Sequence, residues 1–398
     1  MHILMYAESL RPEGGLEISS AQIAEALVRR GHTLDVLYEI GGDLHAHYAS
    51  LSESVTRRWM SFDALSVTDA LRILPAVATG IRRRPDVIYG HRFRDVVCGR
   101  LTGRVAGAPI VCHLRDVYPD VAVRRLASWG DRFIAISHAT RDHWVGEGLD
   151  ARRVDVVHSG IDSAKYPAGG LEERRAARCA LDLPPDAFVA AYYGRLDADK
   201  GIDVLLEAWR RLGMAPERAR LLLQGKPVLA EDPEALMALF QHEAPPGCHW
   251  LPMGDDVVTL LHAADVVVLA SRTEGLPRTV LEGMASGRPV VATSVGGTPE
   301  ILTGPFARFL VDSDDPAGLA ERLEAVADWR RREPQLGRAC AEHIRTHFNL
   351  DVASARIEGV LADAAARGPR ALIPRRRARA RRGSSPVGAQ AAQAPLGD

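Results

Sequence analysis

Within RTEGLPRTVLEGMASGRPVV, residues 272–291, two glutamates stand eight positions apart, Glu274 and Glu282. A carboxylate accepts two hydrogen bonds, which suits it to the adjacent hydroxyls of a sugar or a ribose. Eight is not a spacing that stacks side chains on one helix face, as three, four or seven are. The pair therefore needs two kinds of structure. DVVVLAS (265–271) reads as a buried strand, RTEGLPR as a turn, and a helix begins near Pro277 or Thr279, because proline fits a first helical position. Glu274 then hangs in the loop and Glu282 lies on the first helical turn. Gly275 permits close backbone approach, and the N–H groups from Leu276 to Thr279, on either side of the Pro277 gap, point at a ligand. A competing reading fits the same residues equally well. TVLE (279–282) is a capping box in which Glu282 bonds the Thr279 backbone, leaving Glu274 as a solvated turn residue.

A second stretch, GRLDADKG (194–201), places Arg195 and Lys200 between an apolar strand and a helix. Two cations at a helix N-terminus suit a diphosphate, because the free N–H groups and the dipole already favour an anion. Only three of the 50 Lys and Arg residues are lysines, Lys165, Lys200 and Lys226, so the place of each matters. The bland alternative pairs Arg195 with Asp197 or Asp199. Asp197–Asp199 and Asp312–Asp314 are DxD triplets of a kind that holds Mg²⁺. Solvated acidic loops are commoner, and Mg²⁺ replaces nearby cations rather than joining them. Gly14–Gly15 also precede a helix directly after a strand, but GxGxxG is absent, so a dinucleotide-dependent oxidoreductase is not expected. His113, in HLRD, ends a strand and belongs at a cleft mouth, where it donates to a sugar hydroxyl or stays packed and internally bonded. His91 and His158 are weaker cases of the same kind.

These loops need a frame that brings strand ends together. Residues 2–8, 33–40, 85–91, 109–116, 132–138 and 154–162 read as strands separated by helices of 10–15 residues. The pattern lapses over 163–185 and restarts at 188–196, 220–225, 248–253, 265–271, 289–293 and 307–311. The expectation is an α/β protein with two doubly wound parallel-sheet domains facing across a cleft: 1–165, a linker at 166–185, and 186–366, with the last helices returning to the first domain. The tail, 367–398, is rich in Arg, Ala and Pro and reads as disordered. The five scattered cysteines suggest reduced thiols and a cytoplasmic setting. The N-terminus reads as a strand rather than a signal peptide, and no apolar run is long enough to span a membrane.

GRLDADKG, followed about 80 residues later by EGLPRTVLEGMASGRPVVATSVGGTPEIL, resembles the retaining nucleotide-sugar glycosyltransferases of family 4 and their E-x7-E motif. VVHSGID (156–162) resembles the segment that closes their first domain, and residues 12–37 resemble their first glycine-rich loop and helix. The likeness spans most of residues 2–365. It implies the two-domain GT-B architecture with the active site between the domains. It further implies Arg195 and Lys200 on the donor diphosphate, Glu282 on the ribose and Glu274 on the transferred sugar. The backbone of Gly275, Leu276 and Pro277's neighbours would touch phosphate, Gly15 would allow close approach of the first loop, and His113 would sit by the sugar's 6-hydroxyl. HLRD departs from the usual pattern around that histidine. Members generally need no metal or other cofactor.

The implied reaction moves a hexosyl group from a UDP, GDP or ADP sugar to a hydroxyl of a sugar, aminocyclitol, lipid or glycan. Rival readings are a sugar-nucleotide epimerase of the same architecture and a non-catalytic sugar-nucleotide-binding protein. Arg57, Arg58, Arg82–Arg84, Arg92 and Arg94 form a basic set that suits a solvated face or a peripheral membrane contact. No specific nucleic-acid partner is indicated, and the sequence is silent on oligomeric state.

Overall fold

The computed structural model describes residues 1–369 other than 13, 62–66, 118–125, 226–232, 252–253 and 255. Lys226 and nearly all of the arginine-rich tail lie outside the described residues.

The first sheet holds β1 (His2–Ser9), β2 (Thr33–Ile40), β3 (Ser54–Arg57), β4 (Val87–Gly90), β5 (Ile110–Leu114), β6 (Arg132–Ala135) and β7 (Val154–Val156), all parallel in the order 3-2-1-4-5-6-7. Its helices are α1 (Gly15–Arg29), α2 (Leu44–Leu51), α3 (Val67–Arg83), α4 (Asp95–Ala106) and α5 (His138–Gly146). The second sheet holds β8 (Phe188–Tyr193), β9 (Ala219–Gln224), β10 (Cys248–Leu251), β11 (Val266–Leu269), β12 (Val290–Thr293) and β13 (Leu310–Val311), in the order 10-9-8-11-12-13. With it go α6 (Leu171–Ala180), α7 (Ile202–Leu212), α8 (Pro233–Glu243), α9 (Val257–Ala263), α10 (Arg278–Ala285), α11 (Thr298–Ile301), α12 (Pro316–Val326), α13 (Trp329–Arg332), α14 (Leu336–His347) and α15 (Leu350–Arg367). The two sheets thus share one winding plan, with the order reversing between β1 and β4 and again between β8 and β11. Such a reversal leaves a crevice beyond the strands' carboxyl ends, which is where open α/β sheets bind ligands.

Both faces of each sheet are covered, which explains the continuous apolar strands. Along β1 the side chains alternate. Leu4 and Tyr6 join α3 and α4, while Ile3 and Met5 join α1 and α15. The return of the chain's end is confined to α15. Ile357, Leu361 and Ala364 fill the first sheet's face, whereas α12 and α14 bury Leu319, Leu323, Cys340 and Ile344 in the second core.

Two expectations meet a different structure. Residues 166–185, read as a linker, contain α6, whose Ala177 lies in the second core together with Leu183. Its arginine-rich sequence hides this, because Arg178 is buried on Asp265. The segment 41–67 proves to carry α2 and the edge strand β3. No helix among the described residues is long and apolar enough to cross a membrane.

Asp265, at the mouth of β11, accepts from Arg178 at 2.7 Å, Arg330 at 3.0 Å, Arg174 at 3.2 Å and the Val189 N–H at 3.0 Å. Burial opposes its charge, but the three guanidiniums outweigh burial and hold the carboxyl below the usual carboxylate range. Asp265→Ala leaves buried cations without their anion and is expected to cost about 3–5 kcal/mol in denaturant unfolding. A loss below about 1 kcal/mol would show that this hub does not hold the second domain together.

Candidate functional site

The loops after β8 and β11 meet because those strands are neighbours, with Ala190 opposite Val266. After β8 the chain runs through Gly194 and Arg195 into a short 3-10 turn, Ala198–Lys200, and then into α7. Gly201 joins turn to helix at φ 61°, and a Cβ there would lie 2.1 Å from the Ala270 carbonyl oxygen. Only glycine lets the loop close this tightly on the end of β11. The closure delivers Lys200 Nζ to Glu274 Oε1 at 2.7 Å, and the Ser271 hydroxyl donates to the same oxygen at 2.7 Å. Arg195 pairs with Asp197 at 3.1 Å, one of the two bland partners expected for it.

Helix α10 begins at Arg278 with Pro277 as N-cap and no side-chain capping bond. The capping-box reading of Glu282 therefore fails, because the helix starts one residue before Thr279. Glu282 accordingly lies in the second turn, not the first. Its Oε2 accepts from the Tyr193 hydroxyl at 2.9 Å, and its Oε1 from the Tyr166 hydroxyl at 2.8 Å and Arg278 Nη2 at 2.8 Å. Burial acts against the Arg278 charge, but Glu282 beside it holds its pKa above the ordinary arginine value. Arg278 also crosses the cleft to the Gln22 side-chain oxygen of α1 at 3.1 Å.

Two adjoining cavities occupy the cleft. The larger, about 490 Å³, is lined by Gly15, Tyr193, Arg195, Lys200, Glu274, Pro277 and Glu282 among others. The smaller, about 160 Å³, shares Gly15, Arg195, Lys200, Glu274, Pro277 and Arg278, and adds Gly275, Leu276 and Arg115. Every expected site residue except His113 thus lines one cavity or both.

His113 is 1% exposed and lines neither cavity. The strand that carries it is buried from end to end, so the histidine sits beneath the cleft floor rather than at its mouth. Its Nδ1 faces the Tyr89 hydroxyl at 2.6 Å, and its Nε2 has no hydrogen-bond partner. Burial first, then the Arg115 charge, pushes its pKa well below the ordinary imidazole value, so the ring is neutral at pH 7. His91 is likewise buried and neutral. Among the described residues, groups of three close metal-ligand atoms are His138/His158/Glu300 and His2/Asp35/Glu53, not the DxD triplets. Asp314 instead pairs with Arg272 at 2.7 Å.

Four residues escaped the sequence reading: Arg115, Tyr166, Tyr193 and Arg278. Arg278 had a legible signal, the i,i+4 spacing to Glu282. Arg115 had one too, a charge directly after a wholly buried strand. Tyr166 lies 116 positions from Glu282, and no local pattern announces it.

The two domains are tied at the cleft's edge. The Ser137 hydroxyl donates to the Gly275 carbonyl at 2.9 Å, and a Cβ on Gly275 would lie 2.5 Å from the Arg115 carbonyl oxygen. Glu300 of α11 accepts from the His138 and Ala139 N–H groups at the start of α5, both at 2.9 Å, and from His158 Nε2 at 2.7 Å.

Two sugar-grade carboxylates and two loop cations, gathered at the switch point of facing parallel sheets, define a nucleotide-sugar-type GT-B site. Comparison with known proteins agrees. A family described as "Glycosyltransferase Family 4" matches residues 13–165, and one described as "Glycosyl transferases group 1" matches residues 187–328. The D-inositol 3-phosphate glycosyltransferase of Mycolicibacterium smegmatis is 28% identical over 93% of this chain and 92% of that protein. A counterpart from Catenulispora acidiphila is 27% identical over 83% of this chain and 86% of its own length. Among solved structures, HepE of Anabaena in complex with UDP and glucose aligns with a TM-score of 0.78, 21% identity and coverage of 91% of this chain and 100% of that one. Sucrose-phosphate synthase of Thermosynechococcus elongatus aligns with a TM-score of 0.78, 17% identity and coverage of 92% and 100%. The chain belongs to the family 4 type of glycosyltransferases. The epimerase and binding-protein readings are not favoured.

Glu300→Ala removes the acceptor that caps α5 from across the cleft. The expected loss is about 1–2 kcal/mol, the scale of a lost helix cap, read from the chemical denaturation midpoint. An unchanged midpoint would show that these cross-domain bonds carry no weight.

Proposed function

We propose that this chain moves a hexosyl group from a nucleoside diphosphate sugar to a hydroxyl of a sugar or cyclitol acceptor, with retention at the anomeric carbon. The observation that carries this reading is the meeting of Lys200 with Glu274 beside Arg195, with Glu282 lining the adjoining cavity. The larger cavity takes the nucleoside. Its ribose hydroxyls take over Glu282 oxygens now held by Tyr166 and Tyr193. The diphosphate lies against Arg195, Lys200 and the α10 N-terminus, and the sugar accepts Glu274 near Gly275 and Leu276. The cyclitol acceptor is supported by the names of the M. smegmatis and C. acidiphila relatives.

In the reaction the bond from the anomeric carbon to the leaving phosphate oxygen breaks. A new bond to the acceptor oxygen forms on the same face, and the leaving phosphate takes the acceptor's proton. The protein's task is to stabilise charge as it grows on the diphosphate, the kind of fixed electrostatic contribution that usually dominates catalysis. Arg195 and Lys200 perform it, and no metal is invoked. His113 serves the transferred sugar only through Nε2, the ring atom without a partner. A membrane-borne acceptor is supported by exposed Trp59, Leu71 and Leu74 beside exposed Arg57, Arg72 and Arg82.

The test is a thermal-shift screen of nucleotide sugars, followed by product analysis with cyclitol and sugar acceptors. Nucleoside diphosphate should appear only when acceptor is present, and the product should keep the donor's anomeric configuration. Conversion of donor alone into an isomer would point to an epimerase instead. Lys200→Met should lower kcat by about 10²–10³, the scale of one lost charge-stabilising donor. Near-normal turnover would end the diphosphate role. Glu282→Gln should instead raise KM for the donor about tenfold or more while sparing kcat, as loss of uniform binding does.

A further inference from the structure

Four cations line the smaller cavity: Arg115, Arg195, Lys200 and Arg278. Three have carboxylate partners, Asp197 at 3.1 Å, Glu274 at 2.7 Å and Glu282 at 2.8 Å. Arg115 differs. It is 8% exposed, and its hydrogen-bond partners are neutral: His113 Nδ1, 3.3 Å from Nη2, and the Tyr89 hydroxyl. Its Nε has no partner at all. Glu17 and Asp116 feel its charge, but neither forms an ion pair with it. Burial lowers its pKa, which is the sign of a charge short of compensation.

A buried charge held by neutral groups is costly, and the cost is removed when a ligand brings the counter-charge. Where that ligand lies is constrained. Arg115 lines the smaller cavity and not the larger one that holds Tyr193 and Glu282. It therefore faces away from the nucleoside end. Beside it in the same cavity are Gly15 and Leu16, the first residues of the fifteen-residue helix α1, whose N-cap Gly14 supplies no side-chain bond. The helix adds free N–H groups and the positive end of its dipole to the guanidinium.

We propose that Arg115 and the N-terminus of α1 form a subsite for an oxyanion group, carboxylate or phosphate, that is carried by the transferred sugar or by the acceptor and is separate from the donor diphosphate. The identity of its carrier rests on the glycosyl-transfer reading; the subsite itself does not. Arg115 selects a charged substrate over its neutral counterpart. A charge-assisted, bidentate bond from guanidinium to oxyanion is strong enough to do so.

Equilibrium binding by calorimetry on the full chain tests this without requiring turnover. One arm compares UDP-glucuronate with UDP-glucose. The other compares inositol 3-phosphate with inositol in the presence of saturating UDP. In one arm the charged probe should bind about tenfold tighter or more, and that arm names the carrier. Arg115→Met should bring the two probes within about twofold, Arg115→Lys should restore part of the preference, and UDP alone should bind all three proteins alike. The wild-type arms also stand alone should Arg115→Met not fold. No preference in either arm, or a preference that survives Arg115→Met, overturns the proposal. Loss of UDP binding by a folded Arg115→Met would move Arg115 to the diphosphate and overturn it equally. A wild-type chain that binds with this preference yet transfers no sugar would instead count against the proposed reaction.

Discussion

The ion pair between Lys200 and Glu274 is the joint on which the site turns. It exists because β8 and β11 lie side by side where the strand order reverses, and because Gly201 lets one loop close on the end of the other strand. Each member has a separate task in the proposed reaction, one on phosphate and one on sugar. In the empty cleft each satisfies the other, so neither is left as an uncompensated half-buried charge. A diphosphate that takes Lys200 releases Glu274 to accept sugar hydroxyls. Recognition of the two halves of the donor is thereby coupled through a single exchange of partners.

The same logic extends outward. Glu282 is held by two tyrosine hydroxyls and Arg278, groups that keep its carboxylate in place and leave hydroxyl-sized contacts for a ribose to exchange. Arg278 reaches Gln22 on the opposite wall, Ser137 holds the Gly275 carbonyl, and Glu300 caps α5. These bonds tie the walls at the edges of the cleft and leave its middle hollow. A two-domain enzyme needs this arrangement, because the sugar must be enclosed by residues from both sides while the walls stay in register.

Much of this was legible in the sequence, for definite reasons. Buried parallel strands are continuous apolar runs, so the frame declared itself, and the loop after each run located Arg195, Lys200 and Glu274. The eight-residue interval was readable as loop plus helix. What failed was fine placement. Pro277 starts α10 one residue earlier than a capping box at Thr279 requires, and that shift moves Glu282 into the second turn. The segment 166–185 looked like a linker because α6 is arginine-rich, yet Arg178 is 2% exposed on Asp265. That pairing joins residues 87 apart, which no local pattern reveals. His113 was assigned to the cleft from its place at a strand end. The rule was sound, but it applied two residues later, at Arg115.

That displacement bears on how the cleft treats charge. A cation already paired with a carboxylate can be lent to a passing phosphate and recovered when product leaves, since at each stage the charge is compensated. Arg195, Lys200 and Arg278 are of this kind, and they suit a group that arrives and departs in every cycle. Arg115 has no such reserve, because its neighbours Tyr89 and His113 offer only neutral atoms. Burial and the adjacent guanidinium keep His113 neutral, so it adds no second positive charge to the repulsion. The neutral histidine and the uncompensated arginine thus form a unit. One lets the other keep its charge in a dry place, where that charge interacts most strongly with whatever anion enters.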